Sequence, residues 1–457
     1  MTWFSARCSI AVLAAFCLAA PLSAALGHDA RPAAKKRSVH RARSSSPQII
    51  PQKPRPGVQT DEAESLYYGG VALHAKGNYV EAVEKFQAAL HKRPDFPEAH
   101  HALGLSLAAQ GALDEAIREY RAALSVQPEF AAIHNNLGVA LSEQGKVDEA
   151  IEAYRYAIRL QPGNAAPHHN LALALEAKGD ADGAIAEYRE TLRLQPNNAT
   201  AHNNLGLVLQ RKGQLDEAIG EYRAALRLQA GSAAALYCLN LSAALLVKGE
   251  LDGAIGSGRT AIRLQPENAD AHYNLGLALK AKGDFNGALA AFREVLKLDP
   301  GQGALHYEVG QLLDRAGDDA GALTEYRAML ARQPSHAPTQ EALAVLLQKQ
   351  GDIDGAIAAY RSALQAAPNS VAAQNNLGVA LLNKGQVDDA LAAFRAAASL
   401  QPNDPVAYYN LGEAFIARNQ RGEAIQSYRR YIGLAEAQPD HRDKVEAVRK
   451  HLAVLEP

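Results

Sequence analysis

The sequence predicts an all-α protein built as a solenoid, in which short helix pairs stack one after another. The first observation is a pattern that returns every 34 residues, as Leu137, Leu171 and Leu205 show. A fixed period of this length is typical of stacked repeats. The second observation is an apolar spacing of three and four residues within each copy, which indicates amphipathic helices. We therefore expect neighbouring copies to share one continuous core.

Eleven frames of 34 residues cover residues 63–438, and two residues are inserted between the fifth and sixth frames. Positions are numbered from 1 to 34 within each frame. The frames are residues 63–96, 97–130, 131–164, 165–198, 199–232, 235–268, 269–302, 303–336, 337–370, 371–404 and 405–438. Position 20 is Ala in every frame, which predicts a close approach of two helices there.

Residues that end or begin helices recur at fixed places in the frames. Position 15, between the two predicted helices, is Gly in ten frames and Asn419 in the eleventh, and both residues tolerate a left-handed backbone. Asp at position 18, as in Asp114 and Asp148, is expected to cap the second helix. Pro at position 32 of most frames, such as Pro162, is expected to close it.

These positions together carry a resemblance to a known family. In the third frame they are Leu137, Gly138, Leu141, Ala150, Tyr154, Ala157 and Pro162. The pattern closely resembles the tetratricopeptide repeat (TPR), a helix–turn–helix unit, over about four fifths of the chain. The resemblance implies a right-handed superhelix of about eleven repeats over residues 61–438.

The segment after the last repeat is expected to close the stack. In residues 439–457, Val445, Val448, Leu452 and Leu455 form one apolar stripe with charged residues elsewhere. A terminal element with a polar outer face is what a solenoid needs. We therefore predict a capping helix here, with Asp440 as its N-cap.

Residues 1–27 have the pattern of a secretory signal peptide, with Arg7 before an apolar run, then Pro21 and small residues. The alternative is an uncleaved membrane anchor through residues 8–26. Either interpretation places the repeats outside the cytoplasm, and we expect the periplasm. Of the three cysteines only Cys238 lies beyond this segment, so cleavage would leave no intramolecular disulfide.

Residues 28–60 are rich in Pro, Ser and Arg and carry a net charge of +7, whereas the whole chain carries −2. This composition cannot support a core and predicts a disordered linker. The linker is either a solvated spacer or a weak contact for an anionic surface through residues 31–55. No aromatic residues interleave with the charges, so nothing indicates a nucleic-acid partner.

The junction near residues 230–236 departs from the repeat pattern. Ala230 replaces the usual Pro, and Gly258 stands at position 24, where the other frames have Tyr or Phe. One hypothesis is a bend or weakened joint between the fifth and sixth repeats. The alternative is a lengthened helix with local repacking.

Asparagines at positions 5 and 6 of the first helices are the candidate binding residues. They are Asn135, Asn136, Asn170, Asn203, Asn204, Asn240, Asn274, Asn375, Asn376 and Asn410. This ladder is similar to that in the repeat domain of O-linked N-acetylglucosamine transferase, and the similarity implies a concave groove that holds the backbone of an extended peptide. The alternative is that the amides only follow the repeat consensus and stay solvated. Glu308 and Ala342 interrupt the ladder in repeats 8 and 9.

Histidines form a second periodic set, mostly at position 4. They are His100, His101, His134, His168, His169, His202, His272 and His306. Metal binding is disfavoured, because equivalent residues of successive repeats lie too far apart for metal–ligand distances near 2 Å. A pH-sensitive stack and semi-buried packing remain as interpretations, and packing is the simpler one.

No catalytic motif is present in the sequence: it has no phosphate-binding loop, no Gly-x-Ser-x-Gly and no zinc helix motif. We therefore predict no enzyme activity, no cofactor, no metal and no catalytic residue. The leading interpretation is a scaffold that binds protein or peptide segments in its groove. The alternatives are an accessory assembly subunit of an envelope secretion or polysaccharide export complex, and an enzyme with an unrecognised site. The partner and the oligomeric state stay open.

Overall fold

The computed structural model describes residues 61–456, and this range is all-helical, with 23 α-helices, one 3-10 turn and no strand. The first helices of the eleven frames are α1 (Glu62–Ala75), α3 (Pro97–Ala109), α5 (Ala131–Glu143), α7 (Ala165–Lys178), α9 (Ala199–Arg211), α11 (Ser232–Lys248), α13 (Ala269–Lys282), α15 (Gly303–Arg315), α17 (Ala337–Lys349), α19 (Val371–Asn383) and α21 (Pro405–Ala417). The second helices are α2 (Tyr79–Lys92), α4 (Leu113–Val126), α6 (Val147–Leu160), α8 (Ala181–Leu194), α10 (Leu215–Leu228), α12 (Leu251–Leu264), α14 (Phe285–Leu298), α16 (Asp319–Arg332), α18 (Ile353–Ala366), α20 (Val387–Leu400) and α22 (Arg421–Ala435). The last helix is α23 (Arg442–Leu455). The predicted all-α class and its helix–turn–helix repeats are confirmed.

The described residues form two compact units, one ending at Pro266 and the other beginning at Glu267. In the first unit α1 packs on α2, α2 packs on α3, and the same order continues to α12. In the second unit α13 packs on α14, and the pairs continue in order to α23. First helices also contact the first helices of neighbouring repeats, as α5 does with α7. Each unit is therefore a stack of helix pairs.

The predicted close approach at position 20 is confirmed, because this Ala is fully buried in every frame. A second close contact joins positions 8 and 24. A Cβ atom placed on Gly138 would lie 2.6 Å from Cε1 of Tyr154, which is closer than van der Waals contact allows. The absence of a side chain at position 8 therefore makes room for the aromatic ring that the second helix inserts.

The predicted turns are confirmed, with φ of 81° at Gly145 and 59° at Asn419. The predicted Asp caps are wrong. Second helices begin at position 17, so Asp148 lies inside the first turn, and its carboxylate pairs with Lys178 of the next repeat at 2.7 Å. The N-cap residue of the second helix is instead the one at position 16. For example, Asp180 accepts a hydrogen bond from the backbone N–H of Gly183 at 2.9 Å.

At the irregular junction, α11 extends to 17 residues, whereas the other α-helices have 13 to 15. Position 8 of this repeat is Ser242, whose hydroxyl donates to the carbonyl of Ala254 at 2.8 Å. These features match the lengthened helix with local repacking. The weakened joint stays a hypothesis.

The C-terminal helix α23 packs on α22, and Val445, Val448 and Leu452 are buried. Asp440 is not its N-cap, because a 3-10 turn over Pro439–His441 precedes the helix and His441 occupies the cap position. The predicted signal peptide and basic linker lie outside the described residues. In residues 61–456, no helix combines the length and apolar content needed to cross a membrane.

Candidate functional site

The ladder asparagines hydrogen-bond from one repeat to the next. Nδ2 of Asn170 donates to Oδ1 of Asn135 at 2.9 Å, and Nδ2 of Asn240 donates to Oδ1 of Asn203 at 2.8 Å. In the second unit Nδ2 of Asn410 donates to Oδ1 of Asn375 at 3.4 Å. In each case the amide at position 6 bonds the amide at position 5 of the preceding repeat. The fifth-position amides therefore link neighbouring first helices.

The same amides also bond within a repeat and, in one place, to a histidine. Nδ2 of Asn135 donates to Oδ1 of Asn136 at 3.3 Å, and Nδ2 of Asn136 lies 2.9 Å from Nε2 of His101. His101 occupies position 5 of repeat 2, where repeats 3 and 5 have Asn. Burial lowers the pKa of His101 to about 4, so the ring is neutral near pH 7 and Nε2 accepts from the amide.

The ladder members differ in exposure. Asn136, Asn203 and Asn375 are buried. The partly exposed members are Asn135, Asn170, Asn204, Asn240, Asn274, Asn376 and Asn410. A primary amide has two N–H donors and an oxygen with two lone pairs, so one bond to a neighbour leaves capacity for a ligand. The amides are thus neither simply solvated nor fully used inside the fold.

Tyrosine hydroxyls and apolar side chains lie on either side of the amides. The hydroxyl of Tyr188 donates to Glu176 at 3.2 Å. Burial and the Glu176 carboxylate raise the pKa of Tyr188, whereas a hydrogen bond with Asn204 lowers it. The hydroxyl of Tyr188 therefore lies beside the ladder.

Position 9, one helical turn beyond the amides, holds the partly exposed Leu173 and Leu207. This face, with its amides, hydroxyls and aliphatic side chains, can hold a peptide backbone and receive apolar side chains. We call it the ladder face.

Four of the position-4 histidines contact a glutamate of the same repeat, which the sequence pattern had not predicted. Nδ1 of His100 lies 2.6 Å from Oε2 of Glu119, 19 residues later, and Nε2 of His100 lies 2.9 Å from the carbonyl oxygen of Pro94. The other pairs are His168 with Glu187, His202 with Glu221 and His306 with Glu325, at 2.5 to 2.6 Å. The signal available in the sequence was the recurrence of Glu at position 23 in the frames that have these histidines.

The structure also describes the surroundings of the remaining histidines and of Cys238. Among residues 61–456 no group of three or more His, Cys, Asp or Glu side chains could hold a metal ion. His134 has Ala153 at position 23 and instead lies with its ring centroid 4.2 Å from that of Tyr156. Cys238 is buried, and burial raises the pKa of its thiol, which disfavours the nucleophilic thiolate.

Family models agree with this architecture. Models described as tetratricopeptide repeat or TPR repeat match residues 70–111, 101–165, 177–213, 199–231, 244–283, 269–302, 341–405 and 382–441. Together these ranges cover more than half of the chain. The chain belongs to the tetratricopeptide repeat family. Proteins of this family are generally non-catalytic scaffolds for protein–protein interaction.

Solved TPR structures are similar to parts of this TPR chain. The crystal structure of YrrB, described as a TPR protein with an unusual peptide-binding site, is 25% identical, covers 42% of this chain and 98% of its own, and has a TM-score of 0.38. PilF of Pseudomonas aeruginosa is 23% identical over 46% of this chain and 94% of its own, with a TM-score of 0.41. Yeast Tom70 is 14% identical over 86% of this chain and 95% of its own, with a TM-score of 0.34. No curated protein matches the chain.

Proposed function

We propose that this TPR protein is a non-enzymatic scaffold that binds extended segments of partner proteins along its ladder face. The observation that carries the proposal is the row of amides at position 6, where Asn170, Asn204 and Asn240 are partly exposed. Asn170 and Asn240 also bond to the preceding repeat. An amide both donates and accepts, so it can pair with a peptide group whatever the side chain. Such a row suits a ligand that is recognised by its backbone.

The spacing of the repeats fits an extended segment. Packed helices lie roughly 8–10 Å apart, and an extended chain advances about 3.3 Å per residue. One ladder amide would therefore meet about every third residue of a bound segment. This match allows one continuous segment to bond several repeats in succession.

The internal hydrogen bonds of the ladder would favour binding. Asn240 is held by the buried Asn203, and Asn170 is held by Asn135. Side chains that are already ordered lose less conformational entropy when a ligand binds. The bonds therefore orient the amides without using all of their donors and acceptors.

The proposed binding surface is centred on repeats 3 to 6 of the first unit, where position 6 is Asn in four successive frames: Asn136, Asn170, Asn204 and Asn240. In the second unit Glu308 and Ala342 interrupt the row. The signal-like pattern of residues 1–27 leads us to propose an exported protein that meets its partners outside the cytoplasm.

Site-specific photocrosslinking in cells tests the proposal. A photoreactive residue replaces Leu207, which lies one turn beyond Asn204, and crosslinks are compared with those of a variant carrying Asn170→Ala, Asn204→Ala and Asn240→Ala. The matched control replaces two exposed amides outside the ladder, Gln161→Ala and Asn197→Ala.

We expect the triple variant to lose its crosslinks while circular dichroism shows that it stays folded, and the control variant to keep them. Mass spectrometry of the crosslinked product would identify the partner segment. Equal crosslinking by the wild type and the triple variant would refute binding through the ladder.

A further inference from the structure

The ladder face of repeat 6 differs from those of repeats 3 to 5. Positions 2, 6, 9 and 13 follow one another at intervals of three or four residues, so they share one face of a first helix. In α11 these residues are Leu236, Asn240, Ala243 and Val247. The hydrogen bond from Asn240 to Asn203 shows that this face joins the ladder. Around its amide, the face is entirely apolar.

Two of these apolar side chains are exposed. Leu236 is 47% exposed and Val247 is 43% exposed. Val80, Tyr156 and Val454 are also exposed, on α2, α6 and α23. Val126, Leu228 and Leu400 are exposed as well, and they lie at position 30, at the ends of second helices. Position 30 is apolar in most frames, so these belong to the general repeat pattern, whereas Leu236 and Val247 do not.

The equivalent positions of the neighbouring repeats have small or polar side chains. Position 2 is Ala132, Ala166 and Thr200 in repeats 3, 4 and 5, and position 13 is Glu143, Ala177 and Arg211. The exposed pair at Leu236 and Val247 is therefore specific to repeat 6. Because burying apolar surface is favourable, a ligand side chain that covers Val247 and the adjacent Ala243 would gain affinity. Leu236 lies eleven residues away along α11, about 16 Å, and would meet a different ligand side chain.

The charges along position 13 are also unequal. Arg211 pairs with Glu176 at 2.8 Å, so the charge beside repeat 6 is neutralised. Glu143, at the same position of repeat 3, is exposed. The surface is thus neutral and apolar at repeat 6 and acidic at repeat 3. Its complement is a segment with an apolar side chain at one place and a basic side chain at another.

We propose that repeat 6 contains an apolar specificity subsite, formed by Ala243 and Val247, and that Glu143 selects a Lys or Arg of the same bound segment. The occupant is an extended segment of a partner protein. Three repeat steps of 8–10 Å correspond to about eight residues of extended chain. The apolar and basic residues of the ligand should therefore be separated by about eight residues. This inference rests on the proposed function.

The chain's own basic segment is too short to be this occupant. Its aliphatic pair, Ile49 and Ile50, lies about eleven residues before Asp61, where the described repeats begin. Eleven residues span at most about 40 Å. The five repeat steps from α1 to α11 need about 40–50 Å, before any length is used to enter the face. A partner segment has no such limit.

Synthetic peptides test the proposal with the full-length protein. The probe is a fluorescein-labelled peptide of about 14 residues, which is long enough for four repeats. It consists of Ser and Gln with one Arg and one Leu eight residues apart, prepared in both orders. Three comparison peptides replace the Leu by Ser, replace the Arg by Ser, or place the two residues four apart.

We expect loss of the Leu to weaken binding about tenfold, a typical effect for one apolar side chain in a pocket, and the shorter spacing to weaken it similarly. The Val247→Ser variant should bind the Leu and Ser peptides equally. The Leu228→Ser control, which changes an exposed apolar residue outside the face, should keep the preference. Glu143→Gln should remove the preference for Arg.

Three results would overturn the inference in different ways. Equal binding of all peptides by the wild-type protein would leave a backbone-binding scaffold without this subsite. Binding of none of them would refute the proposed function and the subsite together. Tighter binding by a chain that begins at residue 61 would show that residues 28–60 occupy the subsite, and would refute its assignment to a partner.

Discussion

Nδ1 of His100 lies 2.6 Å from Oε2 of Glu119, so an imidazole of α3 contacts a carboxylate of the second helix in the same repeat. Nε2 of the same ring faces the carbonyl oxygen of Pro94, which ends the preceding repeat. Because both ring nitrogens face acceptors, the protonated ring is favoured. The hydrogen bond with Glu119 raises the pKa of His100 despite its partial burial, and Glu221 does the same for His202.

These two pairs predict a loss of stability as the pH rises above neutrality. A histidine whose pKa is raised by folding contributes stability that is fully present below its ordinary pKa of about 6.5, and that is lost as the pH rises through the folded pKa. Thermal melting should therefore show a Tm that falls as the pH is raised above about 6.5. The Glu119→Gln, Glu221→Gln variant should have a flatter profile over this range. Glu152→Gln, an exposed carboxylate paired with Arg155, is the control and should leave the slope unchanged.

His101 predicts a second, opposite dependence in acid. Burial lowers its pKa to about 4, so the unfolded chain binds a proton that the folded chain does not between about pH 6.5 and pH 4. Stability should fall as the pH falls through this window. His101→Tyr introduces the residue found at position 5 in repeats 1, 7, 8 and 11. The Tm of this variant should fall less than that of the wild type as the pH is lowered. An equal fall of Tm in the wild type and the variant would show that other groups control the acid sensitivity.

Two Gly→Ala substitutions should have opposite effects on stability. Gly138→Ala would place its Cβ 2.6 Å from the Tyr154 ring, and overpacking of this kind costs about 1–3 kcal/mol. Gly220 lies exposed in α10, and a Cβ added there would meet nothing beyond its own helix backbone within 4 Å, so Gly220→Ala should stabilise by about 0.5–1 kcal/mol. Chemical denaturation of both variants measures the change in the free energy of unfolding, which should be opposite in sign. Repeat 4 has Ala172 at the position of Gly138 and still accommodates its own Tyr188. Stabilisation by Gly138→Ala would therefore show that the ring of Tyr154 moves aside easily.

Neighbouring asparagines should separate stability from binding. Asn203 is 3% exposed and bonds both Asn204 and Asn240, so Asn203→Ala should lower the free energy of unfolding by about 1–3 kcal/mol. Asn204 is partly exposed, and Asn204→Ala should change stability less but weaken peptide binding more. Denaturation and fluorescence anisotropy on the same two variants provide the comparison. Equal losses of both properties would contradict the division between linking and ligand-facing amides.

The periodic features were predictable because each depends on residues close in sequence. The 34-residue period, the turn at Gly145 and the buried Ala150 follow from helix periodicity and from backbone preferences. The capping residues were placed wrongly for a related reason. Asp148 lies one residue after the start of its helix, whereas Asp180 lies one residue before the start of its own helix. A pattern of residue types does not locate a helix boundary to one residue.

The sequence by itself determined the repeat, the all-α class and the positions of the ladder asparagines, because these depend on local spacing. Only the tertiary structure decided what those side chains do. Asn170 meets Asn135 across 35 residues, and His100 meets Glu119 across two helices. Such contacts depend on how one helix is placed against the next, to within a hydrogen-bond length. The exposure of Leu236 and Val247 was likewise decided by packing, since burial depends on what the neighbouring helices leave uncovered.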